Sequence, residues 1–169
     1  MADFLSALSW SLVITLIGIS ALPITLRLFK GLPGKGITLA RPLGLLLWAF
    51  LFWLLTSLGV LQNDLGGEIV ALLLLIGFSV WSLRGNGMHT ILEGLRNSKR
   101  TVLAGEIVFL VMFVFWVWVR GMNPEAAYTE KPMELAFINS ILRSPTFPPQ
   151  DPWLSGYAIS YYYFGYVMI

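Results

Sequence analysis

Four apolar runs, each close to the length a helix needs to cross a bilayer, constrain this chain more than any other feature. They extend from about Phe4 to Leu28, from Leu43 to Leu61 ("LGLLLWAFLFWLLTSLGVL"), from Leu65 to Leu83, and from Val102 to Val119 ("VLAGEIVFLVMFVFWVWV"). A hydrocarbon core of about 30 Å takes roughly 20 helical residues. None of the runs alternates with period two. In lipid, only helices and closed barrels satisfy every backbone N–H and C=O. The sequence therefore predicts an all-α, polytopic transmembrane helix bundle. A further apolar stretch begins near Ile159 and reaches Ile169, and reads as the start of a fifth helix.

Charge is too scarce for a water-soluble core: 57% of residues are hydrophobic and 12% are charged, against about a quarter charged in soluble domains. The absence of cysteine excludes a disulfide framework and a thiolate metal site. A net charge of +2 gives no argument for a nucleic-acid partner. The opening "MADFLSALSW" lacks the basic region of a cleaved signal peptide, so the first run reads as a retained membrane helix.

The few charges are distributed by loop. Arg27, Lys30, Lys35 and Arg41 follow the first run without an acid, and Arg84, Arg96, Lys99 and Arg100 follow the third with only Glu93. The link "QNDLGGE" between the second and third runs has acids and no base. The segment after the fourth carries Arg120, Lys131 and Arg143 beside Glu125, Glu130, Glu134 and Asp151. Lys and Arg are retained on the cytoplasmic side. This alternation predicts a plasma-membrane protein with its N-terminus outside. It divides the chain into four transmembrane helices over 1–119, an extracytoplasmic acidic loop over 120–156, and the start of a fifth helix over 157–169.

Some features have simpler readings than a functional one. Met88, Ile91, Leu92 and Leu95 fall on one helical face, as in an interfacial helix or a plain tether. His89 is the only histidine and reads as a surface residue. Glu106, six residues beyond Arg100, reads as an interfacial acid that snorkels or pairs with a loop base. Pro23 should kink the first helix, and Gly18, Ser20 and Ala21 before it suit close helix packing.

The acidic segment is the candidate site. Pro132 suits the first turn of a helix whose apolar face is Met133, Ala136, Phe137, Ile138, Ile141 and Leu142. Glu130 and Glu134, four apart, are either a carboxylate pair for acid–base or divalent-metal chemistry, or first-turn acids that favour the helix dipole. "FPPQDPW" holds Asp151 on a proline strap, which restricts its directions, or is simply a polar turn. Tyr161, Tyr162 and Tyr163 would point about 100° apart on a helix, so they cannot all face one ligand.

In order, "EKPMELAFINSILRS", "FPPQDPW" and "YYYFGY" resemble the polytopic membrane family named for its YYY motif, domain of unknown function 2298, over roughly Arg120 to Tyr166. One departure is Glu134, where the family pattern has aspartate. That family is in turn similar to C-type glycosyltransferases, multipass enzymes that use sugars carried on polyprenyl phosphates. The resemblance implies catalytic roles for Glu130, Asp151 and Glu134, which are also the candidate ligands of a divalent cation (Mg or Mn). It implies substrate binding by Arg120, Lys131, Asn139, Arg143, Tyr161, Tyr162 and Tyr163. The partners it implies are the lipid bilayer and a polyprenyl-phosphate sugar. It also implies a longer protein, of which this chain is the amino-terminal part, inactive by itself. A transporter or channel with an external acidic vestibule, and a non-catalytic membrane scaffold, are the alternatives.

Overall fold

The structure is a computed structural model that describes residues 2–84, 87–123, 125 and 130–168. Every regular element among them is helical; the one β feature is an isolated bridge between Gln150 and Ala158. The elements are α1 (Ala2–Leu28), a 3-10 turn (Pro33–Leu39), α2 (Ala40–Ser57), α3 (Leu65–Trp81), α4 (Gly87–Asn97), α5 (Lys99–Met122), α6 (Lys131–Arg143) and α7 (Phe164–Val167). Among the described residues three stretches are long and apolar enough to cross a membrane: Phe4–Leu28, Gly34–Ser57 and Lys99–Met122. The third expected run forms α3, an apolar helix of 17 residues that is shorter than these. Pro23 lies inside α1, which continues through it.

The chain forms two compact units, Met1–Leu45 with Leu75–Pro124, and Leu46–Leu74 with Glu125–Ile169. In the first, α1 and the start of α2 meet through small residues. A Cβ on Gly44 would lie 2.8 Å from the Ile17 carbonyl oxygen, and one on Gly18 would lie 2.7 Å from Cγ of Arg41. Ala21 is fully buried beside them. Gly18 and Ala21 thus perform the expected close packing, while the Ser20 hydroxyl donates back to the Leu16 carbonyl.

Arg41 was expected in a loop. It lies in the first turn of α2, and its guanidinium forks onto Glu106 of α5 at 2.7 and 2.8 Å. It also stands 4.2 Å over the Phe109 ring and reaches Thr15 of α1 at 3.4 Å. Glu106 therefore pairs with a base, as expected, but with one 65 positions earlier rather than with nearby Arg100.

In the second unit, α2 ends in a Schellman turn. The amide of Gly59 (φ 72°) donates to the Thr56 carbonyl, and that of Val60 donates to Leu55. The Asp64 carboxylate caps α3 by accepting from the Gly67 amide at 2.7 Å. The core is Phe52, Ala71, Ile141 and Phe147, flanked by Trp48, Leu51, Trp53, Tyr163, Tyr166 and Val167. Burying an aromatic or branched side chain of this kind is worth about 1.5–3 kcal/mol. From Glu130 onward the acidic segment is therefore a packed part of this unit; Pro124 and Ala126 to Thr129 lie outside the described residues.

Candidate functional site

The site is built on α6. Glu130 occupies the position before the helix, with φ −86° and ψ −3°, and Pro132 sits in the first turn, where its missing N–H costs nothing. The Glu134 amide closes the first turn on the Glu130 carbonyl at 2.9 Å. Phe137 and Ile141, one turn apart, are buried; Met133, Ala136 and Ile138 are half-buried. Leu142, expected on the apolar face, is instead 74% exposed, because it follows Ile141 by 100° around the axis. The helix thus holds Glu130 exposed and Glu134 half-buried at its start, about two turns and one turn before the buried Phe137.

The end of α6 is clamped by Asn63, from the short acidic link between α2 and α3. Its side-chain amide donates to the Ile141 and Ser144 carbonyls at 2.5 and 2.7 Å, and its backbone N–H donates to Pro145 at 2.8 Å. Asn63 thus ties the last turn of α6 and the two residues after it to the link. The sequence reading missed Asn63. Its only signal was an amide side chain in a short link read only for its acids.

The proline strap follows. Phe147 and Pro149 are buried. Ser140 donates to the Gln150 carbonyl, and the buried Ser144 hydroxyl accepts from the Gln150 amide at 3.0 Å. Asp151 faces its own turn: one carboxylate oxygen accepts from the amides of Trp153 and Leu154 at 2.8 and 3.0 Å. The strap then returns through Asp151 N–H to Tyr157 and Ile159 N–H to Pro149. Because Ile159 is held in that pairing, the helix expected from near Ile159 starts only at Phe164.

The triple tyrosine is not helical, so its members separate for a different reason than helical phase. Tyr163 points into the core, where its hydroxyl accepts from the Trp53 indole at 3.0 Å and its ring meets Phe147. Tyr161 and Tyr162 stack at 4.0 Å between ring centres and share a 2.6 Å hydrogen bond between hydroxyls. That bond, with some burial and the charge of Glu130, pushes the Tyr161 hydroxyl up to about 12. Burial, then the charges of Glu134, Tyr162 and Glu130, raises Tyr166 as well. The structure therefore brings Glu130 and Glu134 electrostatically close to the tyrosines.

The remaining candidates are dispersed. Lys131 donates to the Glu125 carbonyl, Asn139 donates to Leu135 a turn back, and Arg143 is exposed in the last turn of α6. Arg120 belongs to the first unit and donates to the Asn123 carbonyl at the end of α5. Among the described residues no three acidic or histidine side chains gather as metal ligands. Glu130, Glu134 and Asp151 are not gathered into one such group, and one oxygen of Asp151 accepts from the amides of its own turn.

Residues 47–169 match the family described as uncharacterized membrane protein (DUF2298). The chain belongs to that family. The match begins inside α2 and covers α6, the strap and the tyrosines, so the DUF2298 region includes the whole candidate site. Arg41 precedes it, whereas its partner Glu106 falls within it. No curated protein and no solved structure matches the chain.

Proposed function

We propose that this membrane protein is a glycosyltransferase using a polyprenyl-phosphate sugar, with the start of α6 as its outward-facing polar site. The observation that carries the reading is the position of Glu130. It is exposed at the head of a helix anchored by Phe137 and Ile141, and its charge reaches Tyr161. An exposed acid at the start of a packed helix is open to an acceptor hydroxyl, as a general base must be. As the acceptor oxygen bonds to the anomeric carbon, its proton passes to Glu130. The bond from that carbon to the phosphate oxygen breaks, and the polyprenyl phosphate leaves with the electron pair. Lys131, next to Glu130 at the start of the helix, meets the departing charge, while Arg143 lies in the last turn of the same helix. The exposed Tyr161 and Tyr162 face the lipid carrier, and Asn139 adds an amide to the same helix.

A divalent cation (Mg or Mn) would take Glu130 and Glu134 from this helix and the remaining ligands from the substrate phosphate, the usual pattern for Mg. It would supply charge neutralisation on the leaving phosphate. The sided distribution of Lys and Arg supports placing the protein in the plasma membrane, with its N-terminus and residues 120–156 outside. Since the chain has no cysteine, single cysteines introduced at positions 35 and 142 test this directly. An impermeant reagent should label position 142 alone in intact cells.

The catalytic test is Glu130→Gln, assayed for transfer from a panel of polyprenyl-phosphate sugars and by the cell-surface glycan profile. A lost general base costs about 10²–10⁴-fold in rate. Glu134→Asp should be tolerated. Near-normal transfer by the Glu130→Gln variant overturns the reading and favours a non-catalytic scaffold.

A further inference from the structure

At one end of the first unit the fold collects bases that the candidate site does not use. Lys30 follows α1, Lys35 lies in the 3-10 turn, Arg84 follows α3, Arg96 ends α4, and Lys99 and Arg100 open α5. Packing draws these segments together. A Cβ on Gly94 of α4 would stand 3.6 Å from the Lys35 stem and from the Leu26 side chain of α1. One on Gly34 would stand 3.1 Å from Thr101 and 3.6 Å from Ser98 at the start of α5. Arg27 of α1 donates to the Ser82 carbonyl after α3. Lys35 is held at φ 53° between two left-handed glycines, a conformation that a side-chain-bearing residue adopts only when its surroundings impose it.

Two properties of this end call for a partner. Among the described residues none of the six bases has a carboxylate within ion-pair distance. The acid of this region, Glu93, faces His89 instead, at 3.6 Å. Between the bases stand exposed leucines: Leu28 at 63%, Leu32 at 45% and Leu92 at 60%. Leu92 and Arg96 are one turn apart on α4, so an apolar side chain and a base share one face of that helix.

We propose that this end of the unit binds the anionic headgroups of phospholipids, with the leucines entering the acyl boundary beneath them. A layer of phosphates answers the unneutralised bases, and the boundary below it takes the exposed apolar side chains. A soluble polyanion or a nucleic acid supplies only the first. The position fits as well, since α1, α2 and α5 are the membrane-length helices and their ends meet here.

The test uses the whole chain in phosphatidylcholine bilayers with a trace of spin-labelled phosphatidylglycerol or phosphatidylcholine. Phosphatidylglycerol should associate with the protein about three- to tenfold more strongly, as expected for a few bases near a headgroup layer. That preference should shrink at high salt. Lys30→Gln/Lys35→Gln/Lys99→Gln/Arg100→Gln should bring the two lipids to parity within about twofold, whereas Lys→Arg at positions 30, 35 and 99 should retain the preference. Equal association of both lipids with the unaltered protein overturns the proposal. So does a preference that survives in the glutamine variant with its helical content intact. Should that variant not fold, a preference in the unaltered protein that ignores salt overturns it equally.

Discussion

The indole N–H of Trp53, on a membrane-length helix, donates to the hydroxyl of Tyr163 at 3.0 Å. This bond spans 110 positions and joins the triple tyrosine to α2 within the second unit. Phe164 adds an edge-on contact with the same indole, at 5.7 Å between ring centres.

Tyr163→Phe should therefore destabilise the protein by about 0.5–1.5 kcal/mol, the net worth of one hydrogen bond. Tyr162→Phe, at a ring that is 75% exposed, should cost less. Trp53→Phe combined with Tyr163→Phe should be less destabilising than the two single changes added together, because one bond is removed twice. Thermal unfolding in a fixed detergent measures all four. Additive single effects would show that the bond contributes nothing.

Asp151 is more sharply tested by comparing two substitutions. Asparagine keeps an oxygen that accepts from the Trp153 and Leu154 amides, so Asp151→Asn should preserve the strap. Asp151→Ala strands both amides, at a cost of about 1 kcal/mol or more, and should expose residues 150–158 to proteolysis. If activity falls in Asp151→Asn while the strap stays protected, the carboxylate has a chemical role beyond the turn. If both variants are equally open to proteolysis, the turn is not what holds the strap.

Tyr161 gives a pH prediction. Its value of about 12 lies above the usual tyrosine value of about 10, so the fold favours the protonated phenol. The associated stabilisation is complete below about pH 10 and is lost as pH rises through 12. In an absorbance titration of tyrosinate, Tyr162→Phe should bring the late-ionising phenol to lower pH, because the hydroxyl of Tyr162 is the largest cause of the shift. A titration curve changed only by the loss of one tyrosine would reject this assignment.

Arg41 and Glu106 should behave as a unit. Glu106→Leu removes the carboxylate from a guanidinium that makes two short bonds to it, at a cost of about 1.5–3 kcal/mol. The double variant Arg41→Leu/Glu106→Leu should recover part of that loss, since no unpaired charge remains. A double variant as unstable as the sum of the two singles would argue against direct coupling.

The sequence by itself determined the solvent and the elements. Apolar runs of membrane length leave the backbone only helices with which to satisfy itself, and α1, α2 and α5 follow. The start of α6 was equally local, because Pro132 and the Phe137–Ile141 spacing act within a few residues. Only the tertiary structure decided which distant groups meet. Nothing local distinguishes Arg41 from Arg100 as the partner of Glu106, or Asn63 from any other loop amide as the clamp on α6. The tyrosines show the difference most plainly. Their spacing suggested helical phase, yet the backbone pairing of Ile159 with Pro149 and the Trp53 bond to Tyr163 hold them outside a helix. Local propensity sets a residue's own backbone preference, whereas a hydrogen bond to a partner a hundred positions away forms only after the chain has closed.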